Sequence, residues 1–148
     1  MVRDLHIADT PRLLEIAELM HGESVYKAYP LNLHRTKFIL EDLIHNEGVY
    51  SVGVTVGGEL VGVFLGEVST DLWADVQVAR DIVLYLVPEH RGGGHGVRLL
   101  KGFKKWAEPI SNVVVISVFA GIDNEKMAAL LGRMGYSDAG SLHIRRAA

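Results

Sequence analysis

Leu86-Val87-Pro88-Glu89-His90-Arg91-Gly92-Gly93-Gly94-His95-Gly96-Val97-Arg98-Leu99-Leu100 is the stretch that decides how this chain is read. Just before it, Ile82 to Val87 is a continuous apolar run of strand-forming residues. Pro88 stops that run. Val97, Leu100, Phe103 and Trp106-Ala107 then recur at helical spacing as far as Glu108-Pro109. Between strand and helix lies a loop with glycine at 92, 93, 94 and 96. A glycine loop that opens a helix leaves backbone N–H groups uncovered. With the helix dipole they make an anion site suited to a pyrophosphate.

What the loop lacks decides which anion. A P-loop needs Gly-x-x-x-x-Gly-Lys and then Ser or Thr, and no such string occurs. The dinucleotide fingerprint Gly-x-Gly-x-x-Gly, started at Gly92, meets Val97 where its third glycine belongs. It also belongs in the first strand–helix unit, whereas this loop lies past the middle of the chain. What remains is Arg-x-x-Gly-x-Gly, met by Arg91, Gly94 and Gly96. With the strand before it and Pro88-Glu89, this pattern resembles the acyl-CoA loop of the GNAT N-acetyltransferase superfamily. A tight turn alone needs fewer glycines.

Composition is that of an ordinary globular protein. The 148 residues are 49% apolar and 22% charged, enough for one sizeable core, so a single domain over residues 1–148 is expected. No apolar run reaches the roughly 18 residues of a membrane span. Met1 to Leu5 mixes acid and base and lacks a signal-peptide core. With no cysteine there is no disulfide, thiolate metal site or cysteine nucleophile, and a cytoplasmic location is expected. The seven histidines are scattered without ligand spacing, so no metal is expected.

The net charge of −3 does not favour a nucleic-acid partner. Its distribution says more. Arg91, Arg98, Lys101, Lys104 and Lys105 fall on the glycine loop and the helix after it, against only Glu89 and Glu108. A ligand with several phosphates would use such a patch, although a solvated helix face accounts for part of it.

The remaining elements follow from periodicity. Val2 to Ile7 is a first strand. Asp9-Thr10-Pro11 starts a helix with Leu13, Ile16, Ala17 and Met20 inward, and residues 21–31 form a loop. Asn32 caps a second helix that ends at Gly48. Tyr50 to Val56 alternates as a half-buried strand, Gly57-Gly58 turns the chain, and Leu60 to Val68 returns. Val76 to Val87 is the next strand. After the glycine helix, Val113 to Phe119 is a strand covered on both faces and parallel to its predecessor. Asp123 or Asn124 begins a last helix lined by Met127, Leu130, Leu131 and Met134. Residues 136–139 and 142–145 flank Gly140-Ser141 as a closing hairpin.

The order βααβββαβαββ, a mixed α/β sheet, resembles the GNAT fold over essentially the whole chain. So does Asn124 followed by an apolar helix and Arg133-Met134-Gly135-Tyr136. The resemblance implies splayed fourth and fifth strands with the pantetheine arm of acetyl-CoA between them. Backbone groups of Leu84 and Leu86 would pair with that arm. Amides of Gly92, Gly93, Gly94 and Gly96, with His95 inside the loop, would hold the pyrophosphate. Arg91 would shape the loop or add charge, and Asn124 would bond near the arm.

The resemblance further implies direct transfer of an acetyl group from acetyl-CoA to a primary amine in a ternary complex, with no metal. Asp81 is the candidate general base, since a carboxylate at the mouth of an apolar cleft has a raised pKa. Its alternative is a surface Asp paired with Arg80. Glu67 is the reserve base. Glu23, in the loop region after the first helix, is the candidate to hold a cationic acceptor, a small molecule or a protein. Leu131 stands where many family members carry a tyrosine general acid, so no acid is assigned. Tyr85 and His143 are the other polar groups near the expected cleft. The departure at Leu131 keeps a second reading open, a non-catalytic acyl-CoA-binding module. The glycines alone would also suit another nucleotide. No membrane partner is expected, and the resemblance is compatible with a homodimer.

Overall fold

A computed structural model of the protein describes residues 1–118 and 123–147. Five strands form one mixed sheet in sequence order: β1 (Val2–Asp4), β2 (Tyr50–Val56), β3 (Glu59–Thr70), β4 (Gln77–Leu86) and β5 (Val113–Val115). The first four run antiparallel to their neighbours, and β5 lies parallel to β4. The helices are α1 (Thr10–Glu23), α2 (Leu33–His45), α3 (His95–Ala107) and α4 (Asn124–Arg133).

Local signals set most of these boundaries. Asn32 caps α2 by accepting from the Arg35 N–H at 2.9 Å. Gly57 and Gly58 both have positive φ, the geometry of a two-residue hairpin turn, and they join β2 to β3. The expected first strand is shorter, because Ile7–Asp9 is a 3₁₀ turn. Asp9 fixes that turn by accepting from the His6 N–H and from both guanidinium nitrogens of Arg3.

The core lies on both faces of β2 to β4. On one face α3 buries Leu99, Leu100, Phe103 and Ala107. Phe103 stacks on Phe64 with ring centroids 4.5 Å apart, and Tyr50 and Trp106 complete the aromatic cluster. Gly66 of β3 lies directly under the Phe103 ring, where a Cβ would collide. The opposite face carries α1 through Leu13 and Ile16, and Val63 and Val83 point that way.

Two features of β4 position the site. First, β3–β4 register breaks between Leu65 and Gly66: Leu65 pairs with Val83 but Gly66 with Asp81, leaving Ile82 as an extra residue. Second, β5 pairs with β4 only from Val78 to Arg80. Beyond that point the Ser117 N–H donates to the Asp81 carboxylate at 2.7 Å instead of to a backbone carbonyl of β4. The ladder stops there and the two strands part, as expected. Phe119, the last residue expected in β5, lies outside the described residues.

The closing hairpin expected at 136–145 does not form; those residues carry no strand. Local bonds take the backbone and side chains instead. Asp138 accepts from the Gly140 N–H at 3.0 Å, and Ser141 Oγ lies 2.8 Å from His143 Nε2. Such Asx-type closures compete with a strand ladder. The tail then crosses to the other side of the molecule, where Arg146 donates to the Val25 carbonyl at 2.8 Å.

Candidate active site

The gap between β4 and β5 exposes backbone, and the ladder shows which groups. The Val87 N–H donates to the Val61 carbonyl, so that facing pair is hydrogen-bonded. Antiparallel pairs alternate, which turns the polar groups of Val83 and Tyr85 toward β3. Those of Leu84 and Leu86, opposite Phe64 and Gly62, therefore open toward the gap. The Leu86 carbonyl is already taken, by Arg91 Nε at 3.0 Å. The N–H groups of Leu84 and Leu86 and the Leu84 carbonyl face the gap as a short strand edge.

Past Leu86 the chain makes a 3₁₀ turn at Pro88–His90 and enters the glycine loop. Gly92 and Gly94 have φ of 84° and 81°, and a Cβ on either would meet nothing within 4 Å. Both glycines are thus required by the backbone and border open space. Gly94 is the N-cap of α3 and has no side chain to satisfy the first-turn amides. These N–H groups, the dipole of a 13-residue helix and exposed Arg98 and Lys101 form an anion site. His95, the first residue of α3, is half-buried, with Nδ1 3.4 Å from Arg98. An anionic diphosphate fits this cradle: the loop is open, strained into glycine geometry and free of acidic side chains.

Arg91 anchors the loop. Its guanidinium makes two hydrogen bonds to the Glu23 carboxylate, at 2.9 and 2.6 Å, and lies 5.2 Å from the centre of the Tyr85 ring. The Tyr85 hydroxyl also donates to Glu23. The Arg91 bond holds the Glu23 carboxyl below its ordinary range, and burial followed by Glu23 pushes the Tyr85 phenol up. Glu23, expected to hold an acceptor, thus has its carboxylate engaged on both oxygens. The facing of Tyr85 is decided by the Ile82 bulge, which has no signature in the residue pattern.

The other expected site residues are dispersed. Asp81 is half-buried, and burial raises its pKa although the Ser117 N–H opposes this. Its partner Gly66 faces α3, so Asp81 leaves the strand on that side, near enough for its charge to act on Tyr136. It forms no ion pair with Arg80. Glu67, opposite Arg80 near the end of β3, is exposed. Asn124 is exposed at the start of α4, and Leu131 is buried in the core. His143 sits in the exposed tail. Among the described residues no cluster of three His, Asp or Glu is arranged to hold a metal, and no helix is long and apolar enough to cross a membrane.

Solved structures share this architecture. A ribosomal-protein-alanine N-acetyltransferase from Brucella melitensis biovar Abortus 2308 superposes with a TM-score of 0.71 at 18% identity, over 99% of this chain and 97% of the other. An aminoglycoside 6'-N-acetyltransferase from Acinetobacter haemolyticus gives 0.74 at 12% identity, over 100% and 98%. An integron cassette protein from the mobile metagenome of Cole Harbour Salt Marsh gives 0.77 at 17% identity, over 99% and 89%. At these identities the likeness is one of fold. No curated protein sequence matches the chain. The profile of the acetyltransferase (GNAT) family matches residues 11–136, most of the chain and all of the strand, glycine loop and helix above, and the protein belongs to that family.

Proposed function

We propose that this protein transfers an acetyl group from acetyl-CoA directly to a primary amine held beside it. The observation that carries the reading is the pairing of an open strand edge at Leu84–Leu86 with an open glycine loop that begins five residues later. A flat amide-bearing arm suits the edge, and a diphosphate suits the loop. When bound, acetyl-CoA supplies the activated acyl carbon.

The chain's own groups do the rest. The Leu86 N–H, facing the gap, donates to an oxygen that gains negative charge there. Asp81 takes the proton that the attacking amine loses. Since its side chain leaves the opposite face of β4 from Val83, the proton reaches it through a water. A new C–N bond forms, the C–S bond breaks, and the thiolate departs without a side-chain acid from α4, where Leu131 is apolar and buried. Gly92, Gly93, Gly94, His95 and Gly96 hold the diphosphate, and Asn124 lies at the start of the helix expected to border the arm.

Acetyl-CoA consumption over a panel of primary amines tests this, with calorimetric binding of acetyl-CoA in parallel. Turnover with at least one amine is expected. Acetyl-CoA binding without turnover on any amine would favour the non-catalytic binding module, and absence of binding would remove both.

A further inference from the structure

On the face of the sheet away from α3, the structure holds a cavity of about 310 Å³ between α1, α2 and the bulged part of β4. Ile16 and Met20 of α1, Leu40 of α2, Tyr26 of the intervening loop, and Ile82 and Val83 of β4 form its walls. Ile82 is the extra residue of the bulge and follows Asp81 directly. The cavity therefore ends against the strand segment between the candidate base and the open backbone of Leu84.

Its lining is mostly apolar. No Asp, Glu, Lys or Arg contributes to it. Three of its four polar side chains bond to backbone. His21 Nε2 lies 2.6 Å from the Tyr29 carbonyl, Ser24 Oγ donates to the His21 carbonyl at 2.9 Å, and Thr36 Oγ1 donates to the Asn32 carbonyl at 2.8 Å. The nearby carboxylate that would attract a cation, Glu23, is engaged by Arg91 and Tyr85. Yet large apolar side chains at the cavity stay open to solvent: Tyr26 is 48% exposed, Ile39 45% and Ile82 37%. A concave, mostly apolar surface of this size with no carboxylate, lysine or arginine on it is suited to a small apolar ligand.

We infer that this cavity is the acceptor site and that the acceptor is a primary amine on a compact apolar body, alkyl or aryl, not a polycation or a sugar-like amine. The inference rests on the acetyl-transfer reading above and narrows its substrate. The walls favour it chemically as well as sterically. Apolar surroundings disfavour an ammonium, so the amine is delivered as the free base that attacks the acyl carbon. Its nitrogen then bonds to that carbon, the sulfur leaves with the electron pair of the C–S bond, and the released proton passes through a water to Asp81 on the other face of β4.

The test is a steady-state comparison of ethanolamine, n-butylamine, n-hexylamine, 2-phenylethylamine, spermidine and kanamycin with saturating acetyl-CoA. Expected is a rise in kcat/KM of about three- to four-fold per added methylene until the cavity is full, the scale of burying a CH₂ group. Spermidine and kanamycin should be poor. Ala17, on the cavity wall, tolerates enlargement within a helix, so Ala17→Leu should fill space without unfolding α1. It should raise KM for 2-phenylethylamine at least ten-fold and leave acetyl-CoA affinity unchanged. A flat series, or preference for the polycations, overturns the cavity assignment while keeping acetyl transfer. Calorimetric binding of 2-phenylethylamine, weakened by Ala17→Leu but without turnover on any amine, keeps the ligand class and overturns acetyl transfer. Neither binding nor turnover of the apolar amines overturns the inference.

Discussion

Glu23 and Arg91 stand 68 positions apart in the chain and meet in a two-point ion pair, with contacts of 2.6 and 2.9 Å. The pair fastens the last residue of α1, on the side of the sheet away from α3, to the first residue of the glycine loop. Arg91 carries the connection onward to the Leu86 carbonyl. One carboxylate thus holds the glycine loop against the end of β4.

The first prediction follows from that pair. Glu23→Gln keeps the shape and removes the charge, so Arg91 loses its fixed orientation. KM for acetyl-CoA should rise about ten-fold, the scale of one charge-assisted hydrogen bond, with KM for the amine little changed. An effect on the amine alone would return Glu23 to the acceptor site. Because its folded pKa is depressed, the stabilisation from Glu23 is full above the ordinary glutamate pKa of about 4.3 and is lost as pH falls through the lower folded value. The Glu23 contribution to acetyl-CoA affinity should stay level down to the ordinary glutamate pKa of about 4.3 and fall only below it.

Gly94→Val tests the loop. A β-branched residue at φ 81° carries roughly 1–2 kcal/mol of backbone strain, and its side chain would stand in the open space above the amides. Calorimetry should show acetyl-CoA affinity reduced at least ten-fold while circular dichroism keeps the native spectrum. Wild-type affinity in the folded variant would remove the loop as the diphosphate anchor.

Asp81 separates activity from stability. Its pKa is raised by burial, so the folded state favours the protonated form. The stability it contributes is present at low pH and is lost as pH rises through the folded pKa. Asp81→Asn removes a half-buried charge and keeps an acceptor for the Ser117 N–H. At neutral pH the variant should melt no lower than wild type, yet turn over about 10²-fold more slowly. The acid limb of the pH–rate profile, displaced above the ordinary aspartate range in wild type, should vanish. Unchanged turnover would leave Asp81 as a tie between β4 and the segment after β5.

Gly66→Ala tests the packing beneath α3. The added methyl meets the Phe103 ring, which is fully buried and hemmed by Phe64, Tyr50 and Trp106. A loss of about 1–3 kcal/mol is expected, several degrees in Tm by calorimetry. A melting point equal to wild type would mean that the ring moves aside freely.

The sequence carried these elements unevenly. Gly57-Gly58, Asn32, and the glycines before α3 fix their turns and caps by local chemistry, so their places could be read directly. The facing of β4 could not. Ile82 interrupts the period of two: Asp81 shares its face with Gly66, and after the bulge the face passes to Leu84 and Leu86. Tyr85 consequently turns toward Glu23, a partner no short-range pattern predicts. Apolar residues such as Leu142 and Ile144 alternate with polar ones and so point to a closing hairpin, but Asp138 and Ser141 close local bonds instead. The cavity was invisible for a related reason. Ile39, Tyr26 and Ile82 look like core residues, and only the spacing between α2 and the sheet leaves them uncovered.

The bulge and the early end of β5 leave a sheet with an edge in its interior. Open edges are where polypeptides adhere to one another, and proteins usually shield them with charge, proline or a covering loop. Here the shield is geometric. β5 pairs with β4 only as far as Arg80, so the open stretch at Leu84 and Leu86 is short and flanked by paired strand. A slot proposed to admit a pantetheine arm would equally admit a stray unfolded segment from another molecule. Colloidal behaviour should therefore follow occupancy: kept with its cosubstrate, the protein stores as a dispersed solution, and stripped of it, the same preparation ages into aggregates seeded at this slot.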